Sequence, residues 1–112
     1  MAAMVLLYST FPSRDEAVRM AGTVLESRLA ACVNIFPIDS MYHWDGEIQR
    51  DEEFAALFKT TVERADELTG AIRKAHPYDT PAIIRVEADS ADPGYSDWLV
   101  SECSRAGDGN DG

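Results

Sequence analysis

No apolar run in this sequence approaches the roughly 20 residues needed to span a bilayer, so no transmembrane segment is expected. Met1–Tyr8 lacks a basic n-region and a small-residue cleavage site, so no signal peptide is expected either. Cysteine is scarce. Cys32 and Cys103 are far apart and form no CxxC, and without an export signal both are expected reduced. Lysine occurs only at Lys59 and Lys74. Basic residues number 10 against 20 acidic ones, a formal charge of −10. Such a chain repels phosphate backbones and anionic lipid, so neither nucleic acid nor membrane is an expected partner. The RNP-type strand that would support RNA recognition is missing as well. GxSxG, HExxH, P-loop and GxGxxG motifs are all absent, and no Ser or Cys lies beside an obvious base. An enzyme is therefore not expected.

What is present is a globular composition, 46 % hydrophobic and 27 % charged, in 112 residues, which is the size of one domain. The apolar run Val5–Ser9 reads as a strand buried on both faces and broken at Phe11-Pro12. Ser13 and Glu16 fit a capping box for a helix over Arg14–Ser27. Its stripe is Ala17, Ala21, Val24 and Arg28, with Val18 and Leu25 beside it. A second strand over Ala30–Phe36 meets Pro37, where a bulge or kink is expected. The strand resumes at Ser40–Trp44. Asp45-Gly46 then signals a type I′ hairpin turn, and Glu47 opens a return strand that ends near Thr61.

Glu63–Ala75 follows as a helix with Ala65, Leu68, Ile72 and Ala75 on one face, stopped by His76-Pro77. Pro81–Ala88 reads as a fourth strand. Asp92 as N-cap and Pro93 at the first helical position open a last helix striped by Tyr95, Trp98, Leu99 and Glu102. The order β-α-β-β-α-β-α implies an α+β, ferredoxin-like fold: βαββαβ with an extended second hairpin and an added C-terminal helix. Residues 1–106 form the single domain, and 107–112 an expected disordered tail. The hairpin is longer than a sheet of this size pairs, and Tyr42-His43-Trp44 at its tip sits far from the core helices. Unpaired strand and exposed aromatics together call for a partner chain.

Five ordered motifs carry a resemblance. They are Arg28-Leu29-Ala30-Ala31-Cys32-Val33-Asn34, Tyr42-His43-Trp44-Asp45-Gly46-Glu47-Ile48, Lys59-Thr60-Thr61, His76-Pro77-Tyr78-Asp79-Thr80-Pro81 and Tyr95-Ser96-Asp97-Trp98-Leu99. In this order and spacing the chain resembles the CutA family of divalent-cation tolerance proteins over about Val5–Ser101. The resemblance implies a cytoplasmic homotrimer, similar in architecture to PII-type signalling proteins. It also implies a non-enzymatic role linked to copper and other divalent cations.

His76 is the metal candidate. A helix C-terminus favours a cation, imidazole is the commonest metal ligand, and the family's His-Pro-Tyr motif is linked to metal. The competing reading is a histidine that caps the last helix carbonyls. Family members that place a cysteine and a further histidine nearby correspond here to Ser9 and Ala75, so a thiolate-containing copper site is incomplete. A divalent cation such as copper is expected to bind weakly, with carboxylates or a neighbouring subunit's His43 completing the set. Cys32 and Cys103 are read as small hydrophobes. Tyr42, Trp44, Lys59 and Tyr78, with Trp98, are the candidates for a ligand cleft between subunits, against plain interface packing. The run Arg50-Asp51-Glu52-Glu53 reads as a solvated edge. Alternatively, the trimer acts structurally or in signalling through a protein partner, with no functional metal site.

Overall fold

The structure is a computed structural model that describes residues 4–104. Strand β1 (Met4–Phe11), helix α1 (Arg14–Glu26), strands β2 (Cys32–Trp44) and β3 (Glu47–Thr61), helix α2 (Val62–Ala75), strand β4 (Ile83–Glu87) and helix α3 (Pro93–Ser104) follow in order. The strands form one antiparallel sheet in the order β2-β3-β1-β4, the ferredoxin-like arrangement. The expected tail at 107–112 lies outside the described residues.

One face of the sheet carries α1 and α2. Leu7, Phe11, Ala56 and Phe58 from the strands meet Ala17, Met20, Val24, Leu68 and Ile72 from the helices. On the opposite face Leu6 and Tyr8 are half-buried, and Ile84 and Val86 are exposed. Phe11 was expected to break β1. It is instead the strand's last residue, paired with Phe54 and fully buried, because its ring points into the helix layer. The buried stripe of α1 is Ala17, Met20, Ala21 and Val24. Val18 and Leu25 lie one step round the helix and are exposed. Ala75 is exposed too, although it was expected on the buried face of α2. Strand β4 is shorter than expected, Ile83–Glu87.

The expected interruption at Pro37 does not occur. Phe36, Pro37 and Ile38 pair one-to-one with Ala55, Phe54 and Glu53. β2 is an edge strand of the sheet, and an edge tolerates proline where the missing N–H faces away from the ladder. The ladder therefore runs unbroken from Cys32↔Lys59 to Trp44↔Glu47. At about 3.3 Å per residue the two ends of this hairpin lie about 40 Å apart. Asp45 and Gly46 turn it with φ of 53° and 79°, as a type I′ turn requires.

Local caps agree with the sequence. The Ser13 hydroxyl accepts the Glu16 N–H, but the Glu16 carboxylate turns to Arg19 rather than back to the cap. Asp92 accepts the N–H groups of Gly94 and Tyr95. Helix α1 closes with Arg28 at φ 64°, its N–H donating to the Leu25 carbonyl and that of Leu29 to the Val24 carbonyl. That is a Schellman closure with arginine where glycine is usual. The Arg28 guanidinium reaches Glu102, and Arg64 donates to the Cys103 carbonyl, so two cations hold the C-terminal end of α3.

Gly22 and Gly70 lie inside α1 and α2, exposed, and a Cβ at either would meet nothing within 4 Å. Neither has positive φ. Gly22→Ala and Gly70→Ala should each stabilise the fold by about 0.5–1 kcal/mol, as the unfolded chain loses freedom that the helix does not use. Urea unfolding checks this; a loss of stability would show that something packs on this helix layer.

Candidate functional site

Helix α2 ends because Pro77 forces His76 out of the helical region, to φ −70° and ψ 138°. That turn swings the imidazole onto the end of β1. Its Nε2 lies 2.9 Å from the Thr10 carbonyl oxygen and 3.2 Å from the Ser9 hydroxyl. Its Nδ1 accepts the Tyr78 N–H at 3.1 Å. The ring stacks on Phe11, centroids 4.5 Å apart and planes 18° apart. A carbonyl only accepts and an amide only donates, so the imidazole is neutral with its proton on Nε2. Burial pushes its pKa below the ordinary value, against the opposing pull of the Thr10 carbonyl and of Glu16 and Glu53.

Both readings weighed for His76 meet this geometry. The ring does not cap the carbonyls of α2; it bonds a carbonyl of β1. Neither nitrogen keeps a free lone pair for a metal. Among the described residues, no three His, Cys, Asp or Glu side chains converge. The donor set of one protomer therefore does not fit a resident divalent cation. Ser9 is fully buried beside Nε2, the one serine–imidazole pair in hydrogen-bond reach among the described residues. Nε2 already holds its proton, so it is no base toward that hydroxyl. Ala75 is exposed and offers no donor.

Tyr78 leads from His76 to the hairpin. Its hydroxyl donates to the Glu53 carboxylate at 2.6 Å, and the Tyr42 hydroxyl donates to Asp51. Burial first, then the Glu53 carboxylate, raises the Tyr78 pKa; the hydrogen bond to Asp51 first raises that of Tyr42. Both phenols stay protonated donors. Arg50, Asp51 and Glu52 are exposed, as expected of a solvated edge, while Glu53 is half-buried; Asp51 and Glu53 are also the acceptors for two tyrosines. Their i, i+2 spacing on a strand was the available signal, because it puts both on one face.

Lys59 stands at the other end of the sheet. Leu6 and Cys32 lie directly across from it on the two neighbouring strands. Its Nζ lies 5.5 Å from the Tyr95 ring centroid, and the Tyr95 and Trp98 rings are 5.5 Å apart. The four expected cleft residues thus do not converge in one protomer. Tyr42 and Tyr78 bond the middle of the hairpin, Trp44 is at its tip, and Lys59 is at its base with Tyr95. His43 is exposed beside the tip. Cys32 is half-buried, while Cys103 is buried against the Thr60 hydroxyl at 3.7 Å, with burial raising its pKa.

A family model described as CutA1 divalent ion tolerance protein matches residues 5–102. The divalent-cation tolerance protein CutA of Thermotoga maritima is 48 % identical over 96 residues, covering 86 % of this chain and 95 % of the relative. The solved structure of CutA from Synechococcus elongatus PCC7942 superposes with a TM-score of 0.89 at 39 % identity, covering 92 % of each chain. That of an Archaeoglobus fulgidus protein, described as a periplasmic divalent cation tolerance protein CutA, gives 0.86 at 38 % identity, covering 89 % of this chain and 98 % of the other.

Proposed function

This chain belongs to the CutA1 divalent ion tolerance family, and from that premise we propose that it works as a homotrimer without catalytic chemistry, taking a small ligand or a divalent cation in clefts between subunits. One observation carries the reading. Met41, Trp44 and Ile48 near the hairpin tip are 69 %, 68 % and 66 % exposed, and the tip lies about 40 Å from Lys59. A two-stranded arm with such an apolar end is marginal alone and needs cover. Tyr42 and Trp44 of one subunit share a cleft with Lys59 only if the arm reaches the base of a neighbour. Copper or another divalent ion is a weakly held passenger, because binding at His76 would first break the bond to the Tyr78 amide. The two free cysteines support a reducing, cytoplasmic setting, although the Archaeoglobus relative is described as periplasmic.

A second reading is a scaffold that acts through a protein partner. The exposed Ile84 and Val86 on the open sheet face favour it.

Native mass spectrometry of the full chain, with and without one equivalent of copper per chain, tests both. The expected mass is that of three chains, with Trp44→Glu and Ile48→Glu shifting it toward one. Copper retained by the wild type and lost in His76→Ala would place the ion at that histidine. Wild-type protein with the mass of one chain would overturn the reading.

A further inference from the structure

We propose that the base of the open sheet face binds a planar organic monoanion, with its charged group on the Lys59 ammonium and its ring against Tyr95 and Trp98. This rests on the cleft reading above and names the ligand class of that cleft.

Acidic residues outnumber basic ones 20 to 10, and Arg19, Arg28, Arg50, Arg64 and Arg85 all form ion pairs with carboxylates. Among the described residues Arg14, Arg73, Lys74 and Lys59 form none; the first three are exposed, whereas Lys59 is half-buried. Its neighbours on the same sheet face are Leu6 and Cys32 across the ladder, and Leu57 and Thr61 along its own strand. None is acidic. An ammonium with one aromatic contact and no carboxylate partner keeps capacity for an anion, since it carries three donors. Trp98, 43 % exposed, lies beside Tyr95 with its plane inclined 37° to that ring, and the two form an angled aromatic shelf next to the ammonium. The shelf selects a flat ring, and the single cation selects one negative charge. A polyphosphate would find no second cation here and would meet a net charge of −10.

Fluorescence titration with a matched pair of probes tests this: 8-anilinonaphthalene-1-sulfonate and its neutral counterpart, N-phenyl-1-naphthylamine. Wild-type protein should bind the sulfonate about tenfold tighter than the neutral probe, the scale of one charge-assisted contact. Lys59→Met should erase that preference and keep the neutral affinity, and Trp98→Leu should weaken both probes. Lys59→Gln serves if methionine disturbs assembly. Equal wild-type affinities, or a preference that survives in both Lys59 variants, would overturn the inference. Native mass spectrometry of the same samples separates the two failures. A trimer without discrimination sinks only the anion, whereas a single chain with Lys59-dependent discrimination sinks only the intersubunit cleft.

Discussion

Phe11→Ala should destabilise the protein by about 3–5 kcal/mol, the range for truncating a buried phenylalanine. The ring is fully buried and stands 6.4 Å from that of Phe58 while His76 stacks on it. Truncation opens a cavity in the core and removes the seat of the imidazole in one step. Phe58→Ala opens the same core without touching His76, so it serves as the comparison. Urea unfolding at fixed chain concentration measures both, with an unchanged m-value as the condition for reading stability. A double-mutant cycle of Phe11→Ala with His76→Ala should show coupling of about 0.5–3 kcal/mol, as for residues in contact. Additive losses would mean that the stack contributes nothing of its own.

The parts of this fold that the sequence made legible are the local ones. Ser13 and Asp92 cap their helices, and Asp45-Gly46 turns the hairpin, because each is decided within four residues. Phe11 was misread because Pro12 follows it; what keeps Phe11 in the strand is its pairing with Phe54, 43 positions away. Pro37 was misread because its tolerance depends on β2 lying at the sheet edge, a property of topology rather than of the dipeptide.

The site divides in the same way. A histidine before a proline at a helix end is visible in the sequence; its partners, Ser9 and Thr10, are 67 and 66 positions away. Asp51 is exposed as the charged run suggests, and what the composition does not show is that the strand's period of two sets Asp51 and Glu53 beside phenols. The resemblance implies that Lys59 and Trp44 share a cleft between subunits, and such a cleft takes them from two different chains. Within one protomer the antiparallel hairpin puts them at opposite ends.

His76→Ala should cost about 2–3 kcal/mol. It leaves the buried Ser9 hydroxyl and the Thr10 carbonyl without their partner, and each buried polar group left unpaired costs about 1–3 kcal/mol. His76→Phe separates packing from hydrogen bonding, because it keeps a ring against Phe11 but pairs with neither oxygen. The pH dependence follows from the same burial. The folded-state pKa lies below the ordinary 6.5, so below that pH the unfolded chain takes up protons that the folded chain refuses. The contribution of His76 is therefore complete above pH 6.5 and is lost as pH falls through its lowered folded value. Urea midpoints taken from about pH 8 to about pH 5 should fall more for wild type than for His76→Phe, narrowing the gap between them. Carboxylates titrate in both proteins and cancel in that difference. A gap that widened toward acid would mean that the folded state welcomes the proton, and would contradict an Nδ1 that accepts the Tyr78 amide. Protonation at Nδ1 sets two N–H groups against each other. The expected acid loss thus falls on the link that carries α2, through Tyr78 and Glu53, to the hairpin.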